Sequence, residues 1–253
     1  MPFGARIQKI DGKDAPDLVP GAPAGALTVV GGQSVATSKG GSYKDIFRWG
    51  ETLADCRGEE RPGGRFVTTV TSSILNFEAV NRPIIFKAAR LANTVVSSHS
   101  TTDKQPTITP TQILLEGLEL DGKPIQFEPH LEKDLQDFPT FDAFQNEFNK
   151  RGGFFERHLQ VLKGLVGAAG TSQSLPRNSA GLVQFSVVHS FTYGDQKIQG
   201  NVLSLKGFGN IHFAEVLMNE NNRRFTLLRL ELGCSVDAQA ACSETDPNGT
   251  FSS

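Results

Sequence analysis

Two alternating runs near the end of the chain, Gly209–Met218 and Arg223–Gly233, flank the turn formers Asn219-Glu220-Asn221-Asn222. Successive side chains on a strand point to opposite faces. The first run therefore divides into Ile211, Phe213, Glu215 and Leu217 against His212, Ala214, Val216 and Met218. The second divides into Thr226, Leu228, Leu230 and Leu232 against Phe225, Leu227, Arg229 and Glu231. A four-residue connection sets Met218 opposite Arg223, and hence Val216 opposite Phe225, Phe213 opposite Leu228 and His212 opposite Arg229. Both faces are partly apolar, as expected for a strand pair covered on both sides at one end. A slip of one residue would exchange every face, so this register is a strong constraint.

The rest of the chain reads as strands and one helical insert. Residues 5–10 alternate and end at the turn signal Asp11-Gly12. Residues 12–25 carry Pro16, Pro20 and Pro23 and read as an irregular crossing, and residues 31–42 read as a Gly/Ser-rich loop. Residues 1–64 are thus expected to be loop-rich. Phe66–Phe77 and Ile84–Ser98 are rich in Val, Thr and Ile, which favour the pleated surface. A polar stretch with two prolines, 99–110, reads as a loop. Asp121-Gly122 between Gln112–Leu120 and Lys123–Glu128 is a hairpin signal, because a type I′ turn needs two residues with positive φ. Thr140 can cap a helix whose Phe141, Phe144 and Phe148 share one face, and a second helix is expected over Phe154–Leu165. Leu182–Tyr193 and Ile198–Leu205 return to β, and the polar tail from Val236 is expected to be loosely ordered. Helices between successive strands, which a parallel sheet requires, are missing. The expected fold is mainly β: an antiparallel β-sandwich or β-barrel with a short helical insert around residues 140–165, in a single β-rich domain over 1–253.

Composition narrows the function classes. The 253 residues suffice for a core without a disulfide or metal. With a net charge of -2, nothing draws the chain to nucleic acid or to an anionic membrane. No apolar run approaches the ~20 residues of a membrane span, and the N-terminus has no secretory h-region. A cytoplasmic location is expected. There are 18 Phe against 2 Tyr and 1 Trp. Phe lacks a polar handle, so it belongs in cores or in apolar ligand cavities. Cys56, Cys234 and Cys242 form no zinc spacing, although Cys234 and Cys242 are close enough to close a small loop.

Motifs for chemistry are lacking. Gly32 to Lys39 has the wrong spacing for a phosphate loop, and neither G-x-S-x-G nor S-x-x-K occurs. On regular alternation His212 and Glu215 point to opposite faces and cannot share a metal. Arg224 is then the expected partner of Glu215, and Arg229 or a group on an unseen strand that of Glu231. No cofactor and no metal is expected. The favoured expectation is a non-catalytic binding or assembly module that self-associates through exposed strand edges or takes an apolar small molecule. The rival is a small-molecule hydrolase or isomerase with a polar site in a β-barrel pocket. Its candidate catalytic residues are His189, His212, Glu215 and Arg229, because ionisable groups amid apolar strands are costly and often functional.

Overall fold

The computed structural model describes every residue except 20–21, 23, 28–30, 130, 132, 151–176, 180–181, 221, 234 and 248–253. In chain order the first strands are β1 (Phe3–Ile10), β2 (Lys13–Val19), β3 (Gly32–Ser38), β4 (Gly41–Tyr43), β5 (Phe47–Trp49) and β6 (Thr52–Arg61). The long pair β7 (Arg65–Asn81) and β8 (Ile84–Ser100) follows, then β9 (Thr107–Glu116), β10 (Leu118–Leu120) and β11 (Lys123–Phe127). Helices α1 (Lys133–Gln136) and α2 (Phe141–Asn149) precede β12 (Arg177–Ser179), β13 (Leu182–Ser186), β14 (Ser190–Tyr193), β15 (Gln196–Gln199) and β16 (Val202–Leu205). The chain closes with β17 (Gly209–Met218), β18 (Arg223–Leu232) and β19 (Val236–Thr245).

These strands form two antiparallel sheets in a sandwich-like arrangement, and no closed barrel is seen among the described residues. An 8-stranded sheet runs β12-β13-β17-β18-β19-β1-β2, with β16 also on β17. An 11-stranded sheet runs β15-β14-β11-β10-β8-β7-β5-β4, with β6 joining β7 to β3 and β9 joined to β8. One apolar core fills the space between them, including Phe3, Phe47, Phe77 and Phe86 from an aromatic chain that also takes in Trp49. These phenylalanines are therefore core residues.

The C-terminal hairpin has the expected register, with Met218 opposite Arg223, Val216 opposite Phe225, Phe213 opposite Leu228 and His212 opposite Arg229. The hairpin at Asp121-Gly122 is also present, with both residues at positive φ (51° and 73°). Thr140 caps α2, its hydroxyl accepting the Ala143 amide at 3.2 Å, and Phe141 and Phe144 are buried. The expected helix over Phe154–Leu165 lies outside the described residues.

Three expectations are corrected. Residues 1–64 are largely β, holding β1 to β6. Asp11-Gly12 joins β1 to β2 as a second tight hairpin, and β3 replaces the expected Gly/Ser loop. Pro16 is accommodated because β2 ends the 8-stranded sheet, where a missing amide costs no ladder bond. The segment around Pro110 is the edge strand β9 for the same reason. Finally, residues 236–245 are no loose tail: β19 lies between β18 and β1. Its inward residues Ala238, Ala240 and Cys242 are small, so the strand packs closely without an obvious apolar stripe. The Cys242 thiol is free and buried, and Cys234 lies outside the described residues.

A coordinated irregularity crosses both sheets. Ala214 and Ser243 adopt positive φ (47° and 53°), and the β17–β18 and β18–β19 ladders skip the row Ala214–Leu227–Ser243 without changing register. In the other sheet Asn76 (48°) and Gly117 (61°) flank Ala89, and the β7–β8 ladder skips Asn76–Ala89. A left-handed residue turns the chain out of strict alternation. The buried apolar residues accordingly step by three across each row: Phe213 to Val216, Phe225 to Leu228, Ile74 to Phe77 and Ala88 to Leu91.

Asn76 is exposed, so it tests this backbone state without a packing term. Asn76→Val should destabilise the chain by roughly 1–2 kcal/mol, the cost of a left-handed residue that tolerates it poorly. Asn76→Gly should be close to neutral. Urea unfolding midpoints of the two variants check the difference.

Candidate functional site

The kink at Ala214 changes which residues meet. His212 and Glu215 do not point apart as alternation predicts: His212 Nδ1 lies 3.6 Å from Glu215 Oε1. The left-handed Ala214 between them supplies the extra turn. Arg229 stands opposite His212 in the β17–β18 ladder and reaches the same place. Its guanidinium forks onto Glu215, with Nε donating to Oε2 at 2.6 Å and Nη2 donating to Oε1 at 3.0 Å. Its Nη1 donates to Glu231 Oε1. Glu231 Oε2 also lies 3.3 Å from His212 Nε2 and accepts from Asn210 Nδ2 at 3.3 Å. Ser204 on β16 completes the chain by donating to Asn210 Oδ1 at 2.7 Å.

Three of the four expected residues, His212, Glu215 and Arg229, are thus brought together. His189 contributes none of these contacts. It lies between β13 and β14, where its carbonyl accepts the Gly200 amide at 2.7 Å. Glu231 makes the expected pair with Arg229. The expected Glu215–Arg224 pair is replaced, because Arg224 instead forks onto Asp246, with Nε and Nη2 donating at 3.1 and 3.0 Å to Oδ2. Asn210 and Ser204 were missed. Their signal is pairing register alone, Ser204 lying directly opposite Asn210.

Electrostatics couple these groups to one another. His212 and Glu215 are both buried. Burial is the largest effect on His212 and holds its imidazole below the ordinary histidine range; Arg229 adds to this, and the two glutamates oppose it. Burial pushes Glu231 up, but His212, Arg229 and the hydrogen bonds from Asn210 and Arg229 more than reverse it. Burial likewise pulls on Arg229, and its two carboxylate partners outweigh that and keep it firmly charged. One cation therefore spans two carboxylates, with a neutral imidazole beside them. Among the described residues no group of three or more His, Cys, Asp or Glu is placed to hold a metal ion.

A second polar locus lies on the 11-stranded sheet. Asp55, Arg57 and Glu59 of β6 and Thr69 and Thr71 of β7 line an open depression. Arg57 Nε donates to Asp55 Oδ2 at 2.9 Å, which chiefly holds the Asp55 carboxyl below its usual range, and Gln33 of β3 donates to Asp55 Oδ1 at 3.3 Å. Thr71 and Thr94 share a hydroxyl–hydroxyl hydrogen bond at 3.1 Å. No helix among the described residues is long and apolar enough to cross a membrane.

Fold and site together define an antiparallel all-β protein with an internally paired charge cluster. The chain belongs to the family described as a domain of unknown function, DUF8256, whose family model matches residues 13–165. No curated protein and no solved structure matches it. The matched region holds β2 to β11, α1 and α2, and none of His189, His212, Glu215, Arg229 or Glu231.

Removing the shared cation should be costly. Arg229→Met takes the guanidinium away from the buried Glu215 and should destabilise the chain by about 3 kcal/mol, with part recovered by adding Glu215→Gln. Denaturant unfolding of the single and double variants measures this. A depressed imidazole also has a defined pH signature. The unfolded chain binds a proton near the ordinary histidine value of about 6.5 that the folded chain refuses. Stability is therefore full above that pH and falls as pH drops below it. His212→Gln should flatten the decline between about pH 7 and 5, read from urea midpoints at the two pH values.

Proposed function

We propose that the protein is a non-catalytic binding or assembly module that self-associates through its sheets. One observation carries this reading. The region matched by the family model, residues 13–165, contains most of the 11-stranded sheet and excludes the whole ionisable cluster. On this chain the family's common part is a sheet with an open polar face, so a property shared by the family resides in the sheet.

Two further points support it. Arg229 occupies both carboxylates of the cluster, which leaves neither as an unencumbered acid or base and gives the cluster a structural task in holding β17 to β18. This weakens the rival hydrolase or isomerase reading. Many of the phenylalanines are consumed in packing, including the contacts Phe127–Phe213 and Phe144–Phe185, which favours self-association over an apolar small-molecule ligand.

Sedimentation velocity of the full chain over about a hundredfold range of concentration tests the reading. A sedimentation coefficient that rises with concentration to that of a dimer or larger species is the expected result. A strict monomer throughout would end the self-association reading.

A further inference from the structure

Edge strands expose unpaired amides and carbonyls, and proteins blunt them with charges, prolines, short length or a cover. Nearly every edge here is treated that way. β2 carries Lys13, Asp14, Pro16 and Asp17. β4 and β12 have three residues each, and β15 is a four-residue strand with Lys197. β9 carries Pro110, and its outer side is occupied: the Ile108 amide donates to the Pro139 carbonyl at 2.7 Å, and the Ile108 carbonyl accepts from the buried Arg223 at 2.6 Å. Gln136 reaches the Pro110 carbonyl at 3.5 Å.

β16, which pairs only with β17 among the described residues, is uncharged but has just four residues, and β3 is the long exception. Gly32-Gln33-Ser34-Val35-Ala36-Thr37-Ser38 is seven residues without a charge or a proline, and among the described residues it pairs only with β6. Val35 is 53% exposed in the middle of it. This strand also lies within the region matched by the family model.

We propose that β3 is the self-association strand, pairing antiparallel with β3 of a second copy about a two-fold axis at Val35, so that the two 11-stranded sheets become continuous. This rests on the self-association reading and names its interface. Symmetry makes the proposal specific, because a two-fold interface must be complementary to itself. With Val35 facing Val35, Ser34 meets Ala36, Gln33 meets Thr37 and Gly32 meets Ser38. Every pair is uncharged and small enough for close strand approach. The β6 strands follow on each side, with Asp55 in the row of Val35. The two Asp55 residues then stand three strand spacings apart, roughly 14 Å. That exceeds the ~8 Å Debye length at physiological salt, and each carboxylate already holds its own Arg57. Like charges therefore do not oppose the pairing. A second copy is the occupant that this uncharged, self-complementary edge fits; a foreign strand would gain main-chain hydrogen bonds alone.

The test uses the full chain. Val35→Lys sets two ammonium groups face to face on the axis, and the dissociation constant from sedimentation should rise at least about tenfold while the circular dichroism spectrum and unfolding midpoint stay near wild type. Val35→Cys should form a covalent dimer under mild oxidation, whereas Leu18→Cys, still more exposed on the charged β2 edge, should not. Cross-linking decides the matter if Val35→Lys fails to fold. A wild-type dimer that persists in Val35→Lys, or a Val35→Cys chain that cross-links no better than Leu18→Cys, overturns the β3 interface and leaves the self-association reading in place. A wild-type chain that is monomeric at every concentration overturns both.

Discussion

The structure depends on a single backbone constraint repeated from strand to strand. In each sheet a left-handed residue interrupts the alternation of a strand, and the ladders of the adjacent strands skip the same row. Ala214, Leu227 and Ser243 form that row in one sheet, and Asn76, Ala89 and Gly117 form it in the other. An extra residue in one strand alone would be a bulge and would shift the register beyond it. Matched residues in neighbouring strands leave the register intact, so Ile211 still meets Leu230 and Val216 still meets Phe225 across the kink. The apolar faces remain turned inward on both sides of the bend. Without the matched row, half of each strand would present its polar face to the core.

The same row supplies the polar bonds that lock the sheets together. At Ser243 the backbone departs from the ladder, and its groups find partners on the opposite sheet: its hydroxyl donates to the Ser72 carbonyl at 2.8 Å and its carbonyl accepts from Asn93 at 2.9 Å. Asn81, at the end of β7, does likewise at the far end, donating to the carbonyls of Phe208 and Gly233 and accepting from Ser235. Ser72, Asn81, Asn93 and Ser243 are all fully buried. A buried polar group left unpaired costs roughly 1–3 kcal/mol. These bonds therefore penalise any sliding of one sheet over the other, which apolar contacts alone resist weakly. Arg223 acts in the same way. It is buried, burial pulls it down to about 9 so that it is still charged at neutral pH, and it donates to the carbonyls of Ile108 and Phe138, which pins β18 to the edge strand β9.

What was legible in the sequence follows from this. The hairpin register could be read because it depends on the turn length and on the pattern within a few residues of the turn. Asp121-Gly122 and the Thr140 cap could be read because each is a local backbone requirement met by particular residues. The faces beyond the kink could not be read, because Ala214, Leu227 and Ala89 are ordinary strand residues with no compositional mark of a turn. A signal was nevertheless present: apolar residues change from a spacing of two to a spacing of three at Phe213 and Val216, at Phe225 and Leu228, and at Phe77 and Ile74. One such skip looks like noise. Its recurrence in paired strands is the evidence, and it would have placed His212, Glu215 and Arg229 on one face. β3 and β19 were missed for another reason. Both are rich in small residues, which do not form a hydrophobic stripe.

The division of labour between the sheets bears on where function resides. The 11-stranded sheet turns Ile74, Phe77, Phe86, Leu91 and Val95 inward, where they share one core with Ile211, Phe213, Leu228 and Leu230 of the 8-stranded sheet. The region matched by the family model therefore depends for its burial on strands outside that region, above all β17, β18 and β19. The charge cluster lies among those covering strands and ties two of them together, which places its energetic role in the cover. Among the described residues Val35, Asp55, Thr71 and Thr94 form a row outside this core, and β3 pairs with β6 alone. A sheet buried on one face by a firmly braced partner, and with an uncharged edge strand that among the described residues pairs on one side only, is held rigid by its core face while its other features lie away from that core.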